Sequence, residues 1–518
     1  MTGRRGARPP FPLVLAAGVV VCLLLLPLAY LVIRVAGRGG DALEILGERA
    51  TWRLVANTVL LVVSVVAAAV LVAVPLAWLV TRTDLPGRRF FGTAAALPLV
   101  IPSYVAALCL LGLPDLVEWA PEVSGYWGAL AALTLATYPY VFLLAQAGLR
   151  DLDPSLEEAA RGLGVSRRHV FRRVTLPTLR PAVGLGALLV ALYTLSDFGV
   201  VSLMRYDALT RAIYLQYRSL FDRTPAATLA LLLVGLTVVA LTLEYRTRRG
   251  GRLYRTSPGA ARRPEQIRLG RWTAAALAYC SLVVGAFLML PVAVLVAWLA
   301  RGIANERDLE APVAAAVDSL TASGLAATVT VLAALPVALL AVRFPSRRSR
   351  VMERLAYLGN ALPGLVIALS LVFFAARYAS PVYQSLALLV FAYAVRFFPQ
   401  ALSGAESTLQ NVSPRYEEAS RGLGRGMLAT LTAVTAPLAR SGLLAGAALV
   451  FLSAMKELPA TLLLRPIGFE TLATEIWKLT QIGAYSRAAV PALVLIAVSA
   501  PVLWLLSSER RVESTGTG

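Results

Sequence analysis

The chain is short of the residues that most catalytic sites use. Among 518 residues there is one histidine, His169, and there are three cysteines, Cys22, Cys109 and Cys280. Each cysteine stands alone inside an apolar run, which excludes a disulfide framework and a thiolate cluster. A single histidine excludes a histidine-rich metal centre, and no stable metal site is expected. Lysine is almost missing. Lys456 and Lys478 are the only lysines among 49 basic residues, a bias that reads as base composition of the source genome. No Gly-x-x-x-x-Gly-Lys-Ser/Thr stretch occurs, so the chain has no phosphate-cradling P-loop of its own. Charge is scarce as well: 15% of residues are charged and 58% hydrophobic. Soluble domains carry about a quarter charged residues, so this is the composition of a membrane protein. The net charge of +20 does not mark a nucleic-acid binder, because the arginines fall in short gaps between apolar runs.

What is present is a series of such runs. A helix needs about 20 apolar residues to cross roughly 30 Å of hydrocarbon. Twelve segments meet or approach that length, so the expected fold is an all-α integral membrane bundle. The first six are expected near 12–33, 54–80, 92–113, 127–148, 181–204 and 226–243. The second six are expected near 273–299, 319–342, 355–376, 384–406, 440–464 and 487–507. The first run follows arginines, as a signal peptide would. It is too long for one, and Leu25-Leu26-Pro27-Leu28-Ala29-Tyr30 is a poor cleavage site, so it reads as an uncleaved span. With the N-terminus inside, the inner segments hold 33 basic residues and the outer loops 14. The positive-inside bias therefore places both termini in the cytoplasm.

Self-comparison reveals a repeat. Glu157-Glu158-Ala159-Ala160-Arg161-Gly162-Leu163-Gly164 returns 260 residues later as Glu417-Glu418-Ala419-Ser420-Arg421-Gly422-Leu423-Gly424. After a gap of nine residues follow Val174-Thr175-Leu176-Pro177 and Val434-Thr435-Ala436-Pro437. The same offset pairs Pro139 with Pro399 and Pro154 with Pro414, and a drift of one pairs Pro75 with Pro336. Six spans per copy is an even number, so the copies are parallel and related by a pseudo-twofold axis along the membrane normal. The expected organisation is a first repeat at 1–245, a basic cytoplasmic linker at 246–271 and a second repeat at 272–518.

The repeated segment lies in the cytoplasmic loop between spans four and five of each half. Asp153 and Ser413 are expected to cap a short helix whose first residue is a proline. Leu156, Ala159, Ala160 and Leu163 form a small apolar face, repeated by Tyr416, Ala419, Ser420 and Leu423. Gly-Leu-Gly stops the helix. In the first copy Ser166 can cap a second helix that Pro177 ends, both helices lying across the cytoplasmic face. An apolar face outside the bilayer wants a partner groove, with Glu157, Glu158, Arg161, Arg167 and Arg168 orienting it by charge. One such loop per half implies one partner subunit per half.

At these residues the chain resembles the EAA loop of binding-protein-dependent ABC importer permeases. The first copy matches at Glu158, Ala159, Ala160, Gly164, Leu176 and Pro177; the second departs at Ser420 and Ala436. The resemblance extends over essentially the whole chain. It implies the type I, methionine-permease-like fold in a cell inner membrane. It also implies coupling loops formed by Glu157, Glu158, Ala159, Ala160, Gly164, Pro177, Glu417, Glu418, Ala419, Gly424 and Pro437, each inserting into one of two copies of an ATP-binding subunit. ATP and magnesium then belong to that partner, and this chain carries no cofactor and no catalytic centre.

Ionisable groups within spans are costly and usually face a pathway or a partner. Asp197 and Glu457 occupy matching positions in spans five and eleven, with Lys456 expected to pair with one of them; these three are the candidate pathway residues. Arg396, in span ten, pairs with a carboxylate or snorkels to the interface. Ser196-Asp197-Phe198-Gly199 and Lys456-Glu457-Leu458-Pro459 are similar to stretches of fused ferric-iron permeases, as are Thr210-Arg211-Ala212-Ile213-Tyr214 and Thr471-Leu472-Ala473-Thr474. That resemblance implies Fe(III) as cargo and an extracytoplasmic iron-binding protein as partner. Tyr206, Tyr214 and Tyr217 would dock that protein or sit at the membrane interface. Permeases for thiamine, polyamines or phosphonates share the plan, and an ion-coupled secondary transporter is the alternative of a different class.

Overall fold

The computed structural model describes residues 9–152, 157, 160, 162–219, 224–248, 266–305 and 312–515. Regular structure among the described residues is helical, apart from one isolated bridge between Thr83 and Ile267. Among the described residues ten helices are long and apolar enough to cross a membrane, and twelve if two bent pairs each count as one span. The order matches the expected twelve runs. Residues 249–265, most of the expected linker, lie outside the described residues.

Two expected straight spans are bent, and the reason is local. Arg88–Val100 and Ser103–Leu111 meet at 91°, and Arg347–Gly359 and Gly364–Tyr378 meet at 98°. The residue before a proline is pushed out of the helical region by the pyrrolidine ring. Ile101, before Pro102, has ψ 119°, and Leu362, before Pro363, has ψ 116°. The break is set by the backbone of one residue, which an average over side-chain polarity does not register.

Spans five and eleven are also shorter at their C-terminal ends than the apolar runs. Phe171–Ser196 stops before Asp197, and Leu431–Met455 stops before Lys456. Short helices Gly199–Leu203 and Pro459–Leu464 follow, then amphipathic helices Leu209–Ser219 and Leu472–Gln481. Each amphipathic helix is pinned by one matched bond. The Leu209 amide donates to Thr58 Oγ1 at 3.0 Å, and the Leu472 amide donates to Ser319 Oγ at 2.8 Å.

At their N-terminal ends these spans begin earlier than expected. The expectation that Pro177 ends a helix is corrected: Arg167–Val170, Phe171–Thr175 and Leu176–Ser196 run on without a break. Proline removes one donor from the i→i−4 ladder. The ladder widens by one residue just before it, so that the Leu176 amide bonds the Phe171 carbonyl. The same π turn occurs at Leu431–Thr435, ahead of Pro437. The second element of each loop is therefore the base of a span, not a separate helix.

The halves exchange their first spans. Phe11–Ala36 packs against the second half, where Tyr30 Oη donates to the Phe373 carbonyl at 3.4 Å and the Arg34 guanidinium lies 4.0 Å above the Phe373 ring. In return, span seven packs on the first half: Tyr279 Oη donates to the Val72 carbonyl at 2.8 Å, and Arg301 Nη1 to the Asp115 carbonyl at 2.6 Å. Fully buried Ala69, Ala73 and Ala77 recur every four residues along span two, where small side chains let span four approach closely.

Candidate functional site: a shared cavity and twin inner loops

The two bends and the two helix breaks converge on one cavity of about 280 Å³, lined by residues of both halves. Asp197 and Glu457 both line it. Each carboxylate holds the start of the short helix beyond the break. Asp197 Oδ1 accepts from the Val200 amide at 2.9 Å, and Glu457 Oε1 from the Ala460 amide at 3.2 Å. Each bond satisfies one of the amides that the start of a helix leaves free.

The second oxygen of each acid finds a different partner. Asp197 Oδ2 accepts from Ser103 Oγ at 2.6 Å, whereas Glu457 Oε2 lies 3.2 Å from Arg396 Nε. The sequence positions explain the exchange. Offset matching puts Ser103 opposite Gly364 and Ala136 opposite Arg396. A Cβ on Gly364 would sit 1.8 Å from Arg396 Nη1, so only glycine leaves room for the guanidinium to reach Glu457. The expected pairing of Lys456 with an acid is corrected: its Nζ donates to the Leu99 carbonyl of the opposite half at 2.8 Å. That carbonyl is available because the Pro102 bend interrupts the helix that would otherwise have engaged it. Ser103, Tyr104 and Gly364 escaped sequence reasoning; the paired prolines Pro102 and Pro363 were the signal that could have found them. Tyr206, Tyr214 and Tyr217 do not reach this cavity. Their rings are half-buried, with Tyr206 Oη donating to the Asn57 carbonyl at 2.9 Å and Tyr214 packed 4.6 Å from Phe198.

At the other end of the molecule the second repeated loop buries an acid and a serine and exposes apolar side chains. In Pro414–Gly422 the buried residues are Glu417 and Ser420, while Tyr416, Glu418, Ala419 and Leu423 are exposed. Leu423 is 83% exposed and its counterpart Leu163 is 84% exposed. The buried acids serve the chain itself. Glu417 pairs with Arg343 at 3.0 Å and accepts from Thr435 Oγ1 at 3.1 Å. Glu157 pairs with Arg82 and accepts from Thr175 Oγ1 at 2.7 Å. Each clasp joins the loop to the inner end of span two or eight and to the π turn beneath Pro177 or Pro437. Ser413 stands at the N-cap with Pro414 behind it, without a side-chain bond. Asp153, Leu156, Glu158, Ala159 and Arg161 lie outside the described residues.

Gly164 and Gly424 end the loop helices at φ +78° and +82°. The following amides close the turn, Val165 onto the Ala160 carbonyl at 3.2 Å and Arg425 onto Ser420 at 3.3 Å. Only glycine takes that backbone without strain. Gly424→Val is expected to cost about 1–2 kcal/mol locally and to lower ATP-driven uptake in proteoliposomes. Gly422→Ala, at a helical position with open space around it, leaves uptake unchanged.

Comparison with known proteins decides the family. Residues 66–249 and again 328–509 match the family described as "Binding-protein-dependent transport system inner membrane component". The chain belongs to this family of ABC importer permeases. The permease is 34% identical over 504 residues to "Fe(3+)-transport system permease protein FbpB 2" of Haemophilus influenzae, covering 96% of this chain and 98% of that one. It is 25% identical over 471 residues to "Ferric transport system permease protein FbpB" of Actinobacillus pleuropneumoniae, covering 83% and 67%. A "Probable molybdenum ABC transporter permease protein" of Haloferax volcanii is 32% identical over 241 residues, 45% of this chain and 87% of that one. The permease is thus a multi-pass inner-membrane transport protein with both family domains fused in one chain, and its family works with ATP-binding and binding-protein partners.

Proposed function

We propose that the permease passes Fe(III), delivered by an extracytoplasmic iron-binding protein, through the cavity between its halves. Two copies of a separate ATP-binding subunit drive it, one on each inner loop, and they alone use ATP and magnesium. Both termini are cytoplasmic, and the halves divide at 1–245 and 272–518 about the 246–271 linker. Asp197, Lys456 and Glu457 line the pathway. The observation that carries the motor assignment is the matched pair of loops in which Glu157 or Glu417 turns onto an arginine of the chain itself while Leu163 or Leu423 heads an exposed face. Such a face outside the bilayer is a docking surface. The cargo assignment rests on end-to-end similarity to a protein named for Fe(3+) transport, and on oxygen-bearing side chains in the cavity, the donors a hard trivalent ion prefers.

The test is ATPase activity of the reconstituted complex with binding proteins loaded with Fe(III), thiamine or a polyamine. Fe(III)-loaded protein is expected to raise ATPase activity several-fold above the other two. Stimulation by thiamine or polyamine alone overturns the cargo, and uptake driven by a proton or sodium gradient without the ATP-binding subunit overturns the mechanism.

A further inference from the structure

The two walls of the cavity are not alike in charge. At the three matching positions the first half has Ser103, Ala136 and Ser196, and the second has Gly364, Arg396 and Lys456. The first wall therefore carries one acid and no cation, and the second carries an acid and two cations. The ionisable carboxylates, guanidinium and ammonium facing the space sum to zero formal charge. Such a cavity gives a bare trivalent cation no net attraction, and the second wall repels it.

Two polar groups in this lining lack partners. Arg396 Nη1 and the hydroxyl of Tyr104, itself 3% exposed, are buried without a hydrogen-bond partner. Arg396, joined to Glu457 through Nε, lines the cavity with its side chain 19% exposed, and the planar guanidinium matches the two oxygens of a phosphate or carboxylate. The size agrees. About 280 Å³ is roughly nine water volumes at about 30 Å³ each, room for a six-coordinate ion together with an oxyanion ligand.

We infer that the cargo crosses as an oxyanion-ligated ferric complex of near-neutral charge, its metal end toward Asp197 and Ser103 and its anion end on Arg396. This rests on the ferric cargo proposed above and adds that phosphate or a polycarboxylate travels with the metal. No bond order or oxidation state changes; the complex moves intact from one side to the other.

The experiment uses the complete complex in proteoliposomes: permease, ATP-binding subunit and binding protein. ⁵⁹Fe(III) is supplied with ³²P-phosphate, ¹⁴C-oxalate or ¹⁴C-citrate. At least one anion label is expected to accumulate with ⁵⁹Fe in fixed ratio and only with ATP. The Arg396→Gln, Glu457→Gln double variant keeps the wall neutral and is expected to lose about tenfold or more in both labels, the worth of one charge-assisted hydrogen bond. Arg396→Lys, which retains charge but not the planar edge, is expected to fall between. Accumulation of ⁵⁹Fe with none of the three anions overturns the inference while leaving ferric transport intact, as does a double variant that matches the parent in both labels. Failure of any ⁵⁹Fe to enter overturns the ferric reading and this inference with it.

Discussion

Leu163→Asp combined with Leu423→Asp abolishes ATP-driven uptake and releases the ATP-binding subunit, while the permease stays in the membrane at its normal level. Both leucines are more than four-fifths exposed at the tips of their loops, so neither contributes packing to the folded chain. Their removal costs little fold stability. Seated in a partner groove, each leucine contributes about 1.5–3 kcal/mol of burial, and a carboxylate in its place adds a desolvation cost. At each site the loss reaches about 2 kcal/mol or more, roughly thirty-fold in association of that subunit. Co-purification of the two subunits and uptake by the reconstituted complex measure this. Normal co-purification of the double variant would remove these tips from the interface. Either single variant is expected to retain partial association, because the loops are 260 residues apart in sequence and each serves its own subunit.

The second large effect concerns the clasps beneath the tips. Glu417→Gln is expected to leave the ATPase running while uptake falls about tenfold, and Arg343→Glu to destabilise the permease by about 3 kcal/mol or more. The pair is nearly enclosed, with Arg343 11% and Glu417 9% exposed, so removing one partner strands the other charge. Glu417 is also bonded to Thr435, at the π turn that starts span eleven. In the proposed mechanism a movement of the docked loop is thereby delivered to two spans together, and span eleven ends at Lys456 and Glu457 on the cavity. The charge-exchanged double variant Arg343→Glu, Glu417→Arg is expected to recover part of the stability. It cannot recover the bond in which Thr435 donates to a carboxylate, so coupling stays impaired. Thermal unfolding of the purified protein reports the first quantity, and the ratio of uptake to ATP hydrolysed reports the second. Coupling equal to that of the parent in Glu417→Gln would exclude the clasp from transmission. Arg82, Glu157 and Thr175 make the same arrangement in the first half and are expected to behave alike.

Much of this architecture is legible in the sequence because a bilayer imposes a single strong rule. Backbone groups in hydrocarbon must be satisfied within the segment, so an apolar run of the right length is a helix whatever its neighbours. The repeat adds a second rule, since a matched position in one half predicts a matched position in the other. Asp197 and Glu457 were found that way, and the structure places both on one cavity. The loops were found through their glycines, whose positive φ angles the structure shows. Hydropathy was blind to polar events inside apolar stretches. The bends at Pro102 and Pro363 are each set by one backbone angle, and the breaks at Asp197 and Lys456 fall in runs that read as continuous. Glu157 and Glu417 read as outward charges, because sequence cannot show that Arg82 and Arg343 arrive beneath them from residues more than 70 positions away.

The sequence by itself determined the class of the molecule: its membrane environment, its twelve apolar segments, its two parallel halves and the twin inner loops, all of which follow from local composition and from a chain compared with itself. Tertiary structure alone decided how the halves differ where they meet. Whether Arg396 reaches Glu457 depends on the missing side chain of Gly364, and whether Lys456 meets an acid or a carbonyl depends on a bend in the opposite half. Those are questions of which atoms come within about 3 Å of one another, and residues far apart in a chain have no such distance until it folds.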